Sequence, residues 1–535
     1  MIAGRPAVDL LIRGGTIVDG SGGPAQRGDV AVLDGRIAVV DVTGSLAGAA
    51  GTVAAREVID ATGRIVAPGF IDVHVHSELE LLSRSEDAFA GLLQGVTTNV
   101  TAPDGFGFAP LAASLAGEVD RSLASINGRH PELAFDWPTA AAYLEAFEGR
   151  TPVNVVAQAP HIAIRVAVMG WAARRASEEE LERMRATTRQ WMEAGAVGLC
   201  VGLDYQPSVH SDTHEQAELA AVAREFGGIY AAHGRSIEFG RVGAFRETME
   251  VSRRARIPVC VSHEKVDAEV TALLDEAAAD PDVDLTTESH LYSAGSTHLL
   301  YNVPLADQVG GPEAVLERLE APGYRAALAA RLDESFSGVT AAGLNAYFSA
   351  SRTGRHIGRT IAEIADAWHL GPGDATVRLL REELPDAMLI YPWGETEEEF
   401  EITAIASITH PAVIVSSDGV YHGPLPHPRG FGTFPRVLRR FVRELGAVTL
   451  EQAIWKMSGL PASRYGLRDR GRIEVGRAAD LVIFDPATVA DRATYAEPRL
   501  VPVGIDRVIV NGVTAARDGR ATGLRPGRVL RSHPA

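Results

Sequence analysis

The chain has 535 residues, too many for one small domain and enough for a large barrel with a second unit beside it. Hydrophobic residues make up 46% and charged residues 22%, which excludes disordered and fibrous chains and leaves a globular protein. A formal charge of −18 makes nucleic acid an unfavourable partner.

Two cysteines, Cys200 and Cys260, are too few for a disulfide framework and fit a reducing compartment. The start "MIAGRPAVDLLIRGG" lacks a basic region followed by a long apolar stretch. No window holds about 18 uninterrupted apolar residues. The sequence therefore predicts a cytoplasmic protein with no membrane partner.

Residues 1–66 read as short strands broken by turns, with "GDVAVLDGRIAVV" carrying Asp34-Gly35 as a hairpin turn. The stretch "APGFIDVHVHSELE" (67–80) follows. Residues two apart in a strand share a face, so Asp72, His74 and His76 point one way and Val73 and Val75 the other. Two neighbouring imidazoles gain little from packing but make a ready pair of nitrogen ligands for a divalent metal.

Short apolar strands then alternate with helical stretches: "PVNVVAQAPH" (152–161), "AVGLCVGLDY" (196–205), "GGIYAAH" (227–233), "IPVCVSHEK" (257–265) and "PAVIVSSDG" (411–419). The helix at 177–195 opens on a capping box of Ser177 and Glu180. This alternation predicts an α/β chain whose parallel strands close as a (β/α)8 TIM-like barrel. The strand-rich ends, with "AADLVIFDP" and "GIDRVIVNGV" near the C-terminus, predict a small β-sandwich built from both termini. The division is 1–66 and 466–535 for the sandwich and 67–465 for the barrel, with an insertion near 291–350 beside its mouth.

Four of these strands end in His161, His233, His263 and Asp418, and the strand at 67–80 adds His74 and His76. Side chains at the C-terminal ends of barrel strands converge on one mouth, where such barrels carry their chemistry. The pattern predicts a metal site.

"PGFIDVHVH", "SHEK" and "SSDG" resemble the marks of the amidohydrolase superfamily, and the chain is most similar to the N-acyl-D-amino-acid deacylases (D-aminoacylases). Further stretches agree in register: "GVTTNVTAPDGFGFAP" (95–110), "FDWPTAAAYL" (135–144), "GLDYQP" (202–207), "AGST" (294–297), "HPRGFGTFPRVL" (427–438) and "KMSGLPASRYGL" (456–467). The resemblance implies a mouth holding one or two zinc ions, with His74, His76 and Asp418 at one position and His233 and His263 at the other. The family places a metal-binding cysteine after the second strand; here Asp104 stands in that slot. A carboxylate can bridge two cations as a thiolate can, although Pro-Asp-Gly is also a common turn. Relatives such as the hydantoinases bridge their metals with a carbamylated lysine. This chain has only Lys265 and Lys456, the first just beyond a ligand histidine and the second in a late helix.

By the same resemblance, Asp418 carries the proton from water to the leaving amine. Lys265, Tyr205, Arg429 and Ser296 bind the carboxylate of an N-acyl amino acid, with Arg429 the favoured anchor. His290 stands where the family has tyrosine, and His161 reads as a residue of the pocket or one supporting the ligands from behind, rather than a direct ligand. The expected partner is a small carboxylate-bearing amide, and a homo-oligomer stays open. The alternatives are another amidohydrolase reaction, on a lactone, carbamate or cyclic amide, and a non-catalytic scaffold that has lost its metal.

Overall fold

The computed structural model describes residues 8–43, 54–83, 85–337 and 341–532. Parts of the stretch read above for a leader (residues 1–7) and of both sandwich segments (44–53 and 533–535) lie outside them.

The chain is a mixed α/β structure organised around parallel strands: β1 (Phe70–Asp72), β2 (Val96–Thr101), β3 (Asn154–Ala157), β4 (Gly198–Gly202), β5 (Ile229–His233), β6 (Val259–Val261), β7 (Leu285–Ser289) and β8 (Val413–Val415). β1 pairs with β2 and β2 with β3. Past Gln158 the third strand resumes as Ala159–Pro160 and pairs with β4. Parallel pairs then link β4 to β5, β5 to β6, β6 to β7 and β7 to β8. Gly419–Val420, just beyond β8, pairs in parallel with Val75–His76, just beyond β1.

Ile71, Val100, Val156, Cys200, Cys260 and Ile414, from six different strands, belong to one buried apolar cluster. Both cysteines are free and buried, and burial pushes each thiol up to about 12, so neither is poised to react.

Helices follow most of the strands. In Glu178–Ala194, Ser177 and Glu180 make the reciprocal capping bonds, and Gly195, at φ 108°, ends the helix. Leu181, Met184, Thr188 and Trp191, spaced three, four and three residues apart as one face of a helix requires, form its buried stripe with Met192 beside them.

The termini contribute strands to one sheet. Its order is Arg520–Ala521, Val513–Arg517, Ile505–Val510, Leu481–Phe484, Ile65–Pro68, Val8–Ile17, Gln26–Leu33 and Arg36–Asp41, with Ala55–Asp60 paired to Val8–Ile17. Asp34 and Gly35 form the expected hairpin turn, both at positive φ (50° and 74°), as a type I′ turn demands. Leu10, Ile12 and Val30 from one end share a core cluster with Ile473, Leu481 and Ile509 from the other. Both ends thus enter a single hydrogen-bonded sheet.

A second antiparallel sheet joins Ala294–His298, Met388–Pro392 and Tyr347–Ala350. It packs on its own apolar cluster, which includes Leu299, Leu332, Phe348, Ile364 and Leu380. The excursion expected at 291–350 therefore runs on to Pro392. Its later helices, Ile361–Trp368 and Pro372–Glu383, carry amphipathic patterns that read like helices of the main α/β unit. No helix among the described residues is long and apolar enough to cross a membrane.

Candidate metal centre

The ends of the parallel strands bring six ligand-type side chains together. His74 and His76 follow β1, Asp104 follows β2, His233 ends β5, His263 follows β6 and Asp418 follows β8. Asp104, His263 and Asp418 sit at φ 54°, 42° and 46°. A non-glycine residue there costs about 1 kcal/mol or more, so three in one site mark backbone held for position rather than comfort. The loop carrying Asp104 lies tightly on β4: a Cβ on Gly202 would meet the Asp104 carbonyl oxygen at 2.3 Å.

Asp104 is the hub. Its Oδ1 lies 3.5 Å from His74 Nε2 and 3.6 Å from both His233 Nδ1 and His263 Nε2, while its Oδ2 lies 3.6 Å from His76 Nε2. Asp418 Oδ1 lies 3.6 Å from His74 Nε2 and 3.5 Å from His76 Nε2. These separations are too long for good hydrogen bonds. His74 Nε2 and Asp104 Oδ1 are buried with no hydrogen-bond partner, which costs about 1–3 kcal/mol per group unless something else binds them. Donor atoms of His74, His76 and Asp104, of His74, His263 and Asp418, and of Asp104, His233 and His263 each lie within 4.8 Å of one another. Imidazole nitrogens and carboxylates in such sets suit zinc and related divalent ions.

Three further carboxylates orient these side chains, and the sequence reading gave no role to them. Glu288 on β7 places Oε1 2.7 Å from His74 Nδ1, accepts from the His263 amide at 2.9 Å and takes the Ser416 hydroxyl on its other oxygen. Asp204 lies 3.4 Å from His233 Nε2 and accepts from the Ile237 amide at 3.1 Å. Asp72 accepts from the Ser417 amide at 3.0 Å, and burial pushes its carboxyl up to about 7. A carboxylate behind a ligand histidine fixes its tautomer and raises its basicity. The available signal was a buried-type strand, "LTTES", carrying an acid among threonines.

The electrostatics call for positive charge. Burial opposes protonation of His74, yet Glu288 and Asp104 hold its pKa well above the usual imidazole range. Burial also opposes protonation of His233, but Asp104 and Asp204 raise it to about 10. A metal ligand must give up that proton. Zinc uptake at pH 7.5, below the raised His233 value, is therefore expected to release protons, and uptake weakens as the pH falls. Calorimetry in buffers of different ionisation enthalpy checks this. Zinc binding without proton release would mean that other groups are the ligands.

A cavity of about 370 Å³ opens over the cluster. Tyr205, His290, Ser296 and Arg429 line it. Arg429 is almost wholly buried. Its Nη2 lies 2.8 Å from Asp418 Oδ2, and its Nε has no partner. The His290 ring stacks on Trp393 at 5.7 Å; burial, and then Arg429, hold its pKa well below the usual range, so it is neutral. The Ser296 hydroxyl donates to the Leu389 carbonyl at 3.2 Å. Lys265 is not in the cavity wall. Its Nζ lies 2.6 Å from Glu395 and 3.7 Å from the centre of the Trp393 ring.

His161 is not in the cavity wall either, so of the two roles read for it the pocket one has no support. It opens the helix His161–Met169, fully buried, with Nδ1 2.7 Å from Ser208 Oγ and Nε2 3.0 Å from Glu215, whose carboxylate also holds Arg165 at 2.6 Å. Strand-end position alone does not aim a side chain inward; here the chain turns into a helix at that residue. His161→Ala is expected to cost about 1–3 kcal/mol in denaturant unfolding with KM unchanged. A raised KM at full stability would return His161 to the pocket.

A family model described as "Amidohydrolase family" matches residues 57–516. D-aminoacylase of Alcaligenes xylosoxydans xylosoxydans is 36% identical over 534 residues, covering 98% of this chain and 97% of that protein. The solved structure of N-acyl-D-glutamate deacylase from Bordetella bronchiseptica, complexed with zinc and a phosphonate inhibitor that mimics the tetrahedral intermediate, is 32% identical. Its TM-score is 0.79, with 98% of this chain and 100% of that one covered. A D-aminoacylase structure concerned with that enzyme's binuclear metal centre matches with the same identity, TM-score and coverage: 32%, 0.79, and 98% and 100%.

Proposed function

The chain belongs to the amidohydrolase family, and from that premise we propose that it is a zinc-dependent hydrolase of N-acyl-D-amino acids. The observation that carries this reading is the meeting of four imidazoles and two carboxylates with a buried arginine at one cavity. The return of the parallel pairing to its first strand, and the apolar cluster shared by six strands, support closure as a (β/α)8 barrel over 67–465. The shared sheet supports a small β unit from 1–66 and 466–535. The charge of −18 and two buried free thiols support a cytoplasmic enzyme acting on small molecules.

In this reading His74, His76 and Asp418 would hold one zinc ion and His233 and His263 a second, with the Asp104 carboxylate available to both. Zinc supplies a Lewis acid that polarises the amide carbonyl and makes water acidic enough to attack at neutral pH. Asp418 takes the proton of the attacking water and delivers it to the amide nitrogen, which leaves poorly unless protonated. Burial alone would raise Asp418, but first Arg429 and then the imidazoles of His76, His74 and His263 keep its carboxyl well below the usual range, so it enters the reaction ionised. Arg429 also offers donors to the substrate carboxylate. Neutral His290 can give a hydrogen bond to oxygen without adding charge.

The carbamylated-lysine chemistry of cyclic-amide hydrolases has no support, since Lys265 is engaged by Glu395 and Trp393 away from the cluster. The test is amino-acid release from paired N-acetyl-D- and N-acetyl-L-amino acids by metal-free and zinc-loaded protein. Release from the D series with zinc alone is expected. Equal rates on both enantiomers, or none on either, would sink the reading.

A further inference from the structure

We propose that the protein binds a further divalent ion of the zinc class outside the active cavity, held by His356, Glu382 and Glu383 in the excursion that follows β7. The site shares no residue with the centre described above and does not depend on the deacylase reading.

One donor atom from each of the three residues lies within 4.8 Å of the others. His356 belongs to the loop between the strand Tyr347–Ala350 and the helix Ile361–Trp368, while Glu382 and Glu383 end the helix Pro372–Glu383. The His356 ring is 4% exposed and packs against Phe348 and Trp368, with centroids 5.7 and 5.5 Å away. Neither of its ring nitrogens has a hydrogen-bond partner. Its Nε2 faces two carboxylates, 3.6 Å from Glu383 Oε1 and 3.9 Å from Glu382 Oε2.

Those gaps are too long for hydrogen bonds. Two ligands of one tetrahedral zinc, with bonds of about 2.1 Å, stand about 3.4 Å apart. The main centre itself shows 3.5 and 3.6 Å between imidazole and carboxylate. Burial holds the pKa of His356 below the usual imidazole range, so the ring is neutral at pH 7.5. A neutral ring with a lone pair turned toward a carboxylate needs a cation between them.

Glu383 supports the same conclusion. Its side chain is fully buried, and among the described residues no arginine or lysine pairs with it. An unpaired buried carboxylate is costly. It is nonetheless oriented as a ligand would be: the Ser351 hydroxyl donates to it at 2.8 Å, the Thr353 amide at 3.2 Å, and the Thr353 hydroxyl to Oε1. Both glutamates lie in the last turn of their helix, the end whose dipole favours a cation. An imidazole nitrogen among the ligands selects zinc over magnesium or calcium, which prefer oxygen alone.

Arg355 Nη2, 3.0 Å from Glu382 Oε2, and Arg378 Nε, 2.8 Å from Oε1, compete for Glu382. The ion is therefore held more weakly than those of the main centre. Bound there, it ties the loop to the helix end and braces the strand Tyr347–Ala350, which pairs with the strand carrying Met388 and Tyr391 in the cavity wall.

The test takes full-length protein dialysed until only the main-centre ions remain, and titrates it with zinc chloride, with magnesium chloride as the control. Wild type is expected to take up a further zinc ion per chain, with a rise in unfolding temperature, and to ignore magnesium. His356→Gln is expected to lose that uptake while keeping the main-centre ions. Glu382→Gln changes a partly exposed side chain, serves where His356→Gln fails to fold, and is expected to weaken uptake about tenfold or more. Arg355→Gln, on the surface, removes a competing charge and is expected to tighten uptake about fivefold. No further zinc in wild type, unchanged uptake in folded His356→Gln or Glu382→Gln protein, or no tightening in Arg355→Gln protein overturns the site.

Discussion

Replacing Asp418 with asparagine is expected to lower kcat by about a thousandfold, within the range typical of a removed general acid–base group. Asparagine keeps the shape and a carbonyl oxygen that can still face the imidazoles 3.5 and 3.6 Å away, but it cannot take a proton from water. The loss should fall on kcat more than on KM, because the step removed is proton transfer rather than substrate placement. The variant also strips Arg429 of the carboxylate 2.8 Å from its Nη2, leaving a guanidinium buried beside the site. Zinc content and unfolding midpoint must therefore be measured with the rate. Normal zinc content with a collapsed kcat isolates the shuttle, whereas retention of more than about a tenth of wild-type kcat would remove Asp418 from that role.

The alternation of Asp72, His74 and His76 made the start of the site readable, because a period of two puts all three on one face however the rest folds. His233, His263 and Asp418 were readable because short apolar runs ended in them. β2 ("VTTNVT") and β7 ("LTTES") have no such runs, yet both are almost wholly buried. Burial is offset in part by bonds their polar side chains make: Thr286 and Thr287 donate to the carbonyls of Val259 and Val261 across the sheet, and Asn99 donates to the Ser77 hydroxyl. Polarity on such a strand is a record of partners the sequence does not display. Glu288 was hidden for the same reason, since its role depends on His74, His263 and Ser416 arriving from three other places. His161 failed in the opposite direction: its position at a strand end was right, but Ser208 and Glu215 claim both ring nitrogens. Lys265 shares that lesson, because residue rarity fixes neither direction nor partner.

Asp104→Asn is expected to reduce bound zinc from about two ions per chain to one or fewer, with kcat/KM falling about a hundredfold. The carboxylate touches four imidazoles at 3.5–3.6 Å and is the negative charge they share. Burial would raise its pKa, but His74, His233 and His263 hold it well below the usual range, so it is an anion in the folded protein. Asparagine tolerates a φ of 54° and fills the same volume, so the loop braced against Gly202 should keep its path. What disappears is the charge and one of two equivalent oxygens, the features a bridging ligand needs. Alanine is the poorer probe, since it adds conformational cost to the loss of ligand. Asp104→Cys is the decisive companion, because a thiolate can bridge as the carboxylate does and is the residue the resembling family uses there. It should recover zinc content and activity to within about tenfold of wild type, separating ligand chemistry from loop shape. An asparagine variant with full zinc occupancy and unaltered turnover would leave Asp104 as a turn residue that merely sits among the histidines.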